Sequence, residues 1–119
     1  IFGHIGVAQW FVGTFENINI HINDEEVFRS SCFNGNFQIV QWLVETFQLT
    51  AKDVRSNDNY AFRYACANGH LDLVKWLFEI NPNINVHNAE IFYYACKNGQ
   101  LDVAKWLLKM RYYRIRYKI

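Results

Sequence analysis

The residues of this chain with the reach to do chemistry are three cysteines, four histidines and scattered carboxylates, and their spacing decides what they can do. Cys32, Cys66 and Cys96 stand 34 and 30 residues apart, and each lies three residues before a glycine. Thiols could hold zinc or form a disulfide, but a recurrence of once per repeat puts them on successive stacked helices. Such helices pack roughly 8–10 Å apart, whereas a disulfide needs Cα atoms within about 7 Å. All three are therefore expected to be reduced core residues. His21 and His87 each follow a tryptophan by eleven residues and lie two repeats apart. That separation, about 20 Å at ordinary helix spacing, is too great for a shared zinc ion with bonds of roughly 2.0–2.1 Å. His4 and His70 directly follow a glycine and are expected to cap the helix that begins there. The adjacent carboxylates of Glu25 and Glu26 point in different directions on a helix and suit its N-terminus. No Ser, His and Asp arrangement, Gly-rich phosphate loop or HExxH segment is present. The chain is expected not to be an enzyme, and no catalytic residue, metal or cofactor is assigned.

What positions these residues is an internal repeat. Gly3, Gly35, Gly69 and Gly99 are each followed seven residues later by Trp10, Trp42, Trp76 and Trp106. The glycine intervals of 32, 34 and 30 residues are the mark of a structural repeat of about 33 residues. Before the glycine, Phe28, Ser31 and Cys32, then Phe62, Ala65 and Cys66, then Phe92, Ala95 and Cys96 sit at i, i+3 and i+4, one stripe of an amphipathic helix. Asn34-Gly35, Asn68-Gly69 and Asn98-Gly99 end that helix, because glycine reaches the left-handed conformation a helix C-terminus commonly uses. A second helix follows, with Phe37, Val40 and Leu43, then Leu71, Val74 and Leu77, then Leu101, Ala104 and Leu107 spaced by three. Asp72 and Asp102 fall in its first turn, where negative charge suits the helix dipole. One tryptophan per repeat at a fixed helical place is expected to pack between neighbouring second helices. Polar connectors such as 81–88 carry turn chemistry and are too short for another helix.

Composition agrees with a folded chain that is not strongly drawn to polyanions. It has 119 residues, is 51% hydrophobic and carries a net charge of +1. There is no apolar run long enough to cross a membrane and no overall charge driving it to nucleic acid or anionic lipid, and no signal peptide is expected before the first repeat. A cytoplasmic setting is expected. Because Ile1 and Phe2 fall where the end of a first helix should be, the chain is expected to be part of a longer repeat protein.

These residues resemble the ankyrin repeat. The stretch Asn68-Gly69-His70-Leu71-Asp72-Leu73-Val74-Lys75-Trp76-Leu77 is similar to the family's NGHLEVVKLL segment, and Ile84-Asn85 resembles the Val-Asn that opens its hairpin. The resemblance covers all but about the last ten residues. Where the family writes Thr-Pro-Leu-His, this chain has Glu26-Val27-Phe28-Arg29, Tyr60-Ala61-Phe62-Arg63 and Glu90-Ile91-Phe92-Tyr93, so the usual Thr and His hydrogen bonds are not expected. The 30-residue interval suggests a shortened hairpin before Ala89. The pairing of Cys before Asn-Gly with Trp-Leu is most similar to divergent ankyrin repeats of giant DNA viruses of amoebae and of amoebae themselves, which would place the protein in the host cytoplasm if it is viral.

The resemblance implies an all-α, ankyrin-type helix-turn-helix repeat solenoid with short hairpin-like connectors. Residues 1–110 form the repeat domain, as a partial repeat 1–23 and repeats of about 24–57, 58–87 and 88–110. It further implies a monomer that binds a protein partner, not a small molecule or membrane, through a concave face of inner helices and connector tips. On the inner helices, Glu26, Arg29 and Phe33, then Tyr60, Arg63 and Ala67, then Glu90, Tyr93 and Lys97 vary while the core stripe recurs. Tyr60, Arg63 and Tyr93 are the expected anchors, with Arg29, Phe33 and Lys97 around them and Arg55, Asp58, His87 and Asn88 at the tips. Solvation or packing on the adjacent connector explains the same positions without a partner. Asn19 and Asn85 match the place where ankyrin repeats are hydroxylated. Residues 111–119 carry four positive charges and three tyrosines. They read either as a C-terminal strand or cap over Leu107 and Leu108, or as a basic aromatic tail for nucleic acid, the first being favoured. Recruitment of a substrate to a ubiquitin ligase through a module outside this segment is a further alternative.

Overall fold

A computed structural model describes residues 19–117, with side chains as far as Tyr113. The partial first repeat and the capping role expected of His4 lie outside these residues. The described chain contains α1 (Ile22–Phe33), α2 (Phe37–Phe47), α3 (Ala51–Val54), α4 (Ser56–Ala67), α5 (Leu71–Ile80), α6 (Ala89–Lys97) and α7 (Leu101–Tyr117). No strand occurs among the described residues. The fold is an all-α repeat of paired helices, and the chain divides into two compact units between Ala61 and Phe62.

The helix pairs are made by one local device used three times. Gly35, Gly69 and Gly99 adopt φ of 70°, 76° and 73°. In the first copy Asn36 N donates to Ser31 O and Gly35 N to Cys32 O, both at 3.1 Å. His70 N to Ala65 O with Gly69 N to Cys66 O, and Gln100 N to Ala95 O with Gly99 N to Cys96 O, repeat the pattern. This is the Schellman arrangement, which satisfies the last carbonyls of the first helix and turns the chain into the second. Asp72 and Asp102 lie in the first turns of α5 and α7 as expected. His70 occupies the N-cap of α5, but its side chain makes no capping bond, so that expectation is corrected.

In the first unit, Phe28 and Cys32 of α1 and Val40 of α2 are fully buried, and Leu43 of α2 nearly so. In the second, Phe62, Cys66, Leu73, Val74, Leu77, Val103 and Leu107 are buried, each large side chain contributing about 1.5–3 kcal/mol. Trp106 of α7 sets its ring edge-on to Phe78 of α5 at 5.5 Å and tilted against Phe62 at 6.5 Å, a contact between successive second helices as the spacing implied. Burial pushes the Cys32 and Cys66 thiols far above their usual range. Cys96 departs from the expected core role and is exposed. Among the described residues no further inner helix follows α6 to cover it.

The starts of the inner helices depart from simple periodicity. Asn23, Asp24 and Glu25 in α1, and Asn57, Asp58 and Asn59 in α4, have φ of 53–65° and form a left-handed turn before the right-handed helix. Asn and Asp tolerate this region because their short polar side chains bond locally. The third repeat omits the turn. There Asn88 caps α6 directly, its side chain accepting from Glu90 N at 2.9 Å and Ile91 N at 3.4 Å, which accounts for the shorter glycine interval.

The connectors also differ from one another. Residues 48–55 contain the single turn α3, where Thr50 and Asp53 form a reciprocal capping box, so this connector does hold a helix. The connectors at Asn19 and Asn85 instead share a side-chain turn, each asparagine accepting from the backbone of the histidine two residues on, at 3.0 and 2.9 Å. The tail does not form a strand as far as Tyr117. Residues 111–117 prolong α7 without a break; within that helix Leu107 is buried and Leu108 is 50% exposed.

Candidate protein-binding surface and its neighbours

Arg29 faces its own helix start. Its Nε donates to Asp24 O and its Nη2 to Asn23 O, both at 2.8 Å. The guanidinium carbon also lies 4.9 Å from the centre of the Tyr60 ring. The left-handed turn points those carbonyls away from the helical ladder, and the planar guanidinium is the side chain that can take two at once. Arg29 and Tyr60 are both half-buried. Arg29 is thus a structural clamp as well as a surface residue, and it stands where the Thr-Pro-Leu-His motif would have placed a histidine.

Phe33, at the end of α1, is 41% exposed. In the second unit, the half-buried Arg63 lies 5.6 Å from the Tyr64 ring. Tyr93 is 55% exposed, meets Tyr94 edge-on at 5.2 Å, and shares Lys97 with it, whose Nζ is 5.9 Å from one ring and 5.8 Å from the other. Tyr94, also exposed, was not among the residues the sequence singled out. Its signal was the adjacent aromatic pair one turn before Lys97, near enough for cation–π contact. Of the tip residues, Arg55 and Asp58 are exposed, whereas His87 and Asn88 are half-buried, and Asn88 is spent on capping. On α7, Tyr112 and Tyr113 meet at 5.8 Å and Lys109 Nζ lies 6.0 Å from the Tyr113 ring.

A second cluster lies at the start of α1. His21 Nδ1 is 2.5 Å from Glu25 Oε2, and the Asp53 carboxylate stands beside them. The hydrogen bond that His21 donates to the Glu25 carboxylate, with smaller contributions from the Glu25 and Asp53 charges, raises the His21 pKa above its ordinary 6.5. These three residues are the group among the described His, Cys, Asp and Glu side chains able to surround a metal ion.

A family model of ankyrin repeats in three copies matches residues 2–88 and 27–118. No curated protein and no solved structure matches the chain significantly.

Proposed function

Because the chain belongs to the ankyrin repeat family, whose repeats generally mediate protein–protein interaction, we propose that it binds a partner protein without chemistry, through the exposed faces of its inner helices. The observation that carries this reading is the Tyr93, Tyr94 and Lys97 cluster on α6, two exposed aromatic rings served by one cation. Tyrosine is enriched among residues that dominate binding energy, and a surface already ordered on a helix loses little entropy on association. Phe33, exposed at the end of α1, offers an apolar contact within the first unit. The sequence resemblance supports a cytoplasmic setting in an amoeba, or in the host cytoplasm if the chain is viral, and directs where to seek the partner.

The test is quantitative capture from an amoebal lysate, comparing the chain with a Tyr93→Ala, Tyr94→Ala, Lys97→Ala variant whose helicity is unchanged. Specific partners are expected to fall at least about tenfold, the equivalent of 1.4 kcal/mol. Equal recovery by the two proteins would remove the site from α6.

A further inference from the structure

We propose that His21, Glu25 and Asp53 form a binding site for a divalent transition-metal ion of the zinc type, with imidazole Nδ1 and one oxygen of each carboxylate as ligands and water completing the shell. Ligand atoms of the three residues all lie within 4.8 Å of one another. One neutral imidazole and two carboxylates supply a charge matched to a dication. A nitrogen donor selects the zinc class over magnesium or calcium, which prefer oxygen throughout. Three protein ligands with a fourth position open to water is a common zinc arrangement.

The burial of Glu25 points independently to a ligand. The residue is 5% exposed, and its Oε1 has no hydrogen-bond partner although His21 engages Oε2. Burying a carboxylate half-satisfied is costly unless something neutralises it. The fold does not demand a carboxylate there, because the equivalent positions of the next two repeats carry Asn59 and Ala89. His21 and Asp53 also occupy one repeat position, eleven residues after Trp10 and Trp42 respectively. Stacking of consecutive connectors therefore sets them side by side. Asp53 is already oriented, since its Oδ2 accepts from Thr50 N at 2.8 Å, leaving Oδ1 for an ion. Outer contacts of this kind hold ligands in place for metals. A bound ion would tie the start of α1 to α3 within the first unit, and would stabilise the folded chain because the unfolded one lacks the site.

The experiment uses the whole chain carrying Cys96→Ser, which removes an exposed thiol that could take up zinc, after stripping with a chelator. Zinc chloride is titrated calorimetrically and the midpoint of thermal unfolding is followed, with magnesium chloride as control. One zinc ion per chain with a raised midpoint is expected, and no comparable response to magnesium. His21→Ala, Asp53→Asn and Glu25→Gln should each weaken zinc binding by about tenfold or more, while His70→Ala and His87→Ala should not. His21 and Asp53 are not core residues, so those two variants decide the matter if Glu25→Gln does not fold. Zinc affinity unchanged in His21→Ala and Asp53→Asn, or no binding at millimolar zinc, would overturn the site.

Discussion

Arg29 shows how a residue can read as a contact for a partner and be spent on its own chain. Two hydrogen bonds from a charged donor hold the carbonyls of Asn23 and Asp24 in a turn that the backbone alone disfavours. Arg29→Ala is expected to lower stability by about 1.5–3 kcal/mol in urea denaturation, the value of hydrogen bonds to a charged group. Arg29→Lys should recover only part of it, because an ammonium cannot fork across two carbonyls as a guanidinium does. Equal stability of Arg29→Ala and the parent chain would free Arg29 for a partner. The Asn-Asp pairs at 23–24 and 57–58 announce tolerance of left-handed backbone, yet nothing in the local sequence says which side chain holds them. Arg29 lies five residues past Asp24, and only the reversal of the chain at the left-handed turn brings them together. The Tyr93 and Tyr94 pair carries a local signal by contrast, adjacency and a following lysine, although the expected contact residues included Tyr93 and Lys97 and not Tyr94.

At the scale of the element, the three glycines do the same backbone work in different surroundings. A Cβ added at Gly99 meets nothing within 4 Å, whereas one added at Gly69 runs into the Gln100 side chain. Gly99→Ala is therefore expected to cost about 1–2 kcal/mol, the penalty of a left-handed alanine. Gly69→Ala should cost more, and Gln100→Ala in the same chain should bring the two substitutions level. Thermal or urea unfolding of the four proteins forms a double-mutant cycle, and a zero coupling energy would show that Gln100 moves aside freely. The helix pairs themselves were readable because their causes are short-range: a stripe at three and four residues, and a glycine at its end. The single turn α3 was not. Connector 48–55 is as polar as its counterparts, but Thr50 and Asp53 close a capping box there, and the Asn19 and Asn85 connectors close a two-residue side-chain turn instead.

For the molecule as a whole, charge argues for partner binding by shape over attraction to a polyanion. The chain carries +1, and the four cations of 111–119 leave the remainder at −3. Three of those cations, Arg111, Arg114 and Arg116, lie in the segment that prolongs α7 as far as Tyr117. Deleting 111–119 is expected to leave protein capture intact, and to abolish oligonucleotide binding if any is present in fluorescence anisotropy. Four cations give a log–log salt slope no steeper than roughly −3 on a single strand. Loss of protein capture on that deletion would move the binding surface to α7. The sequence alone determined the repeat period, the three left-handed glycines and the paired helices, because helix periodicity and backbone φ are properties of neighbours along the chain. The exposure of Cys96, the contact of Arg29 with the Tyr60 ring and the meeting of His21, Glu25 and Asp53 were decided by tertiary structure. Each depends on what another segment covers or brings alongside, and residues 28 or 32 positions apart become neighbours only when successive connectors stack.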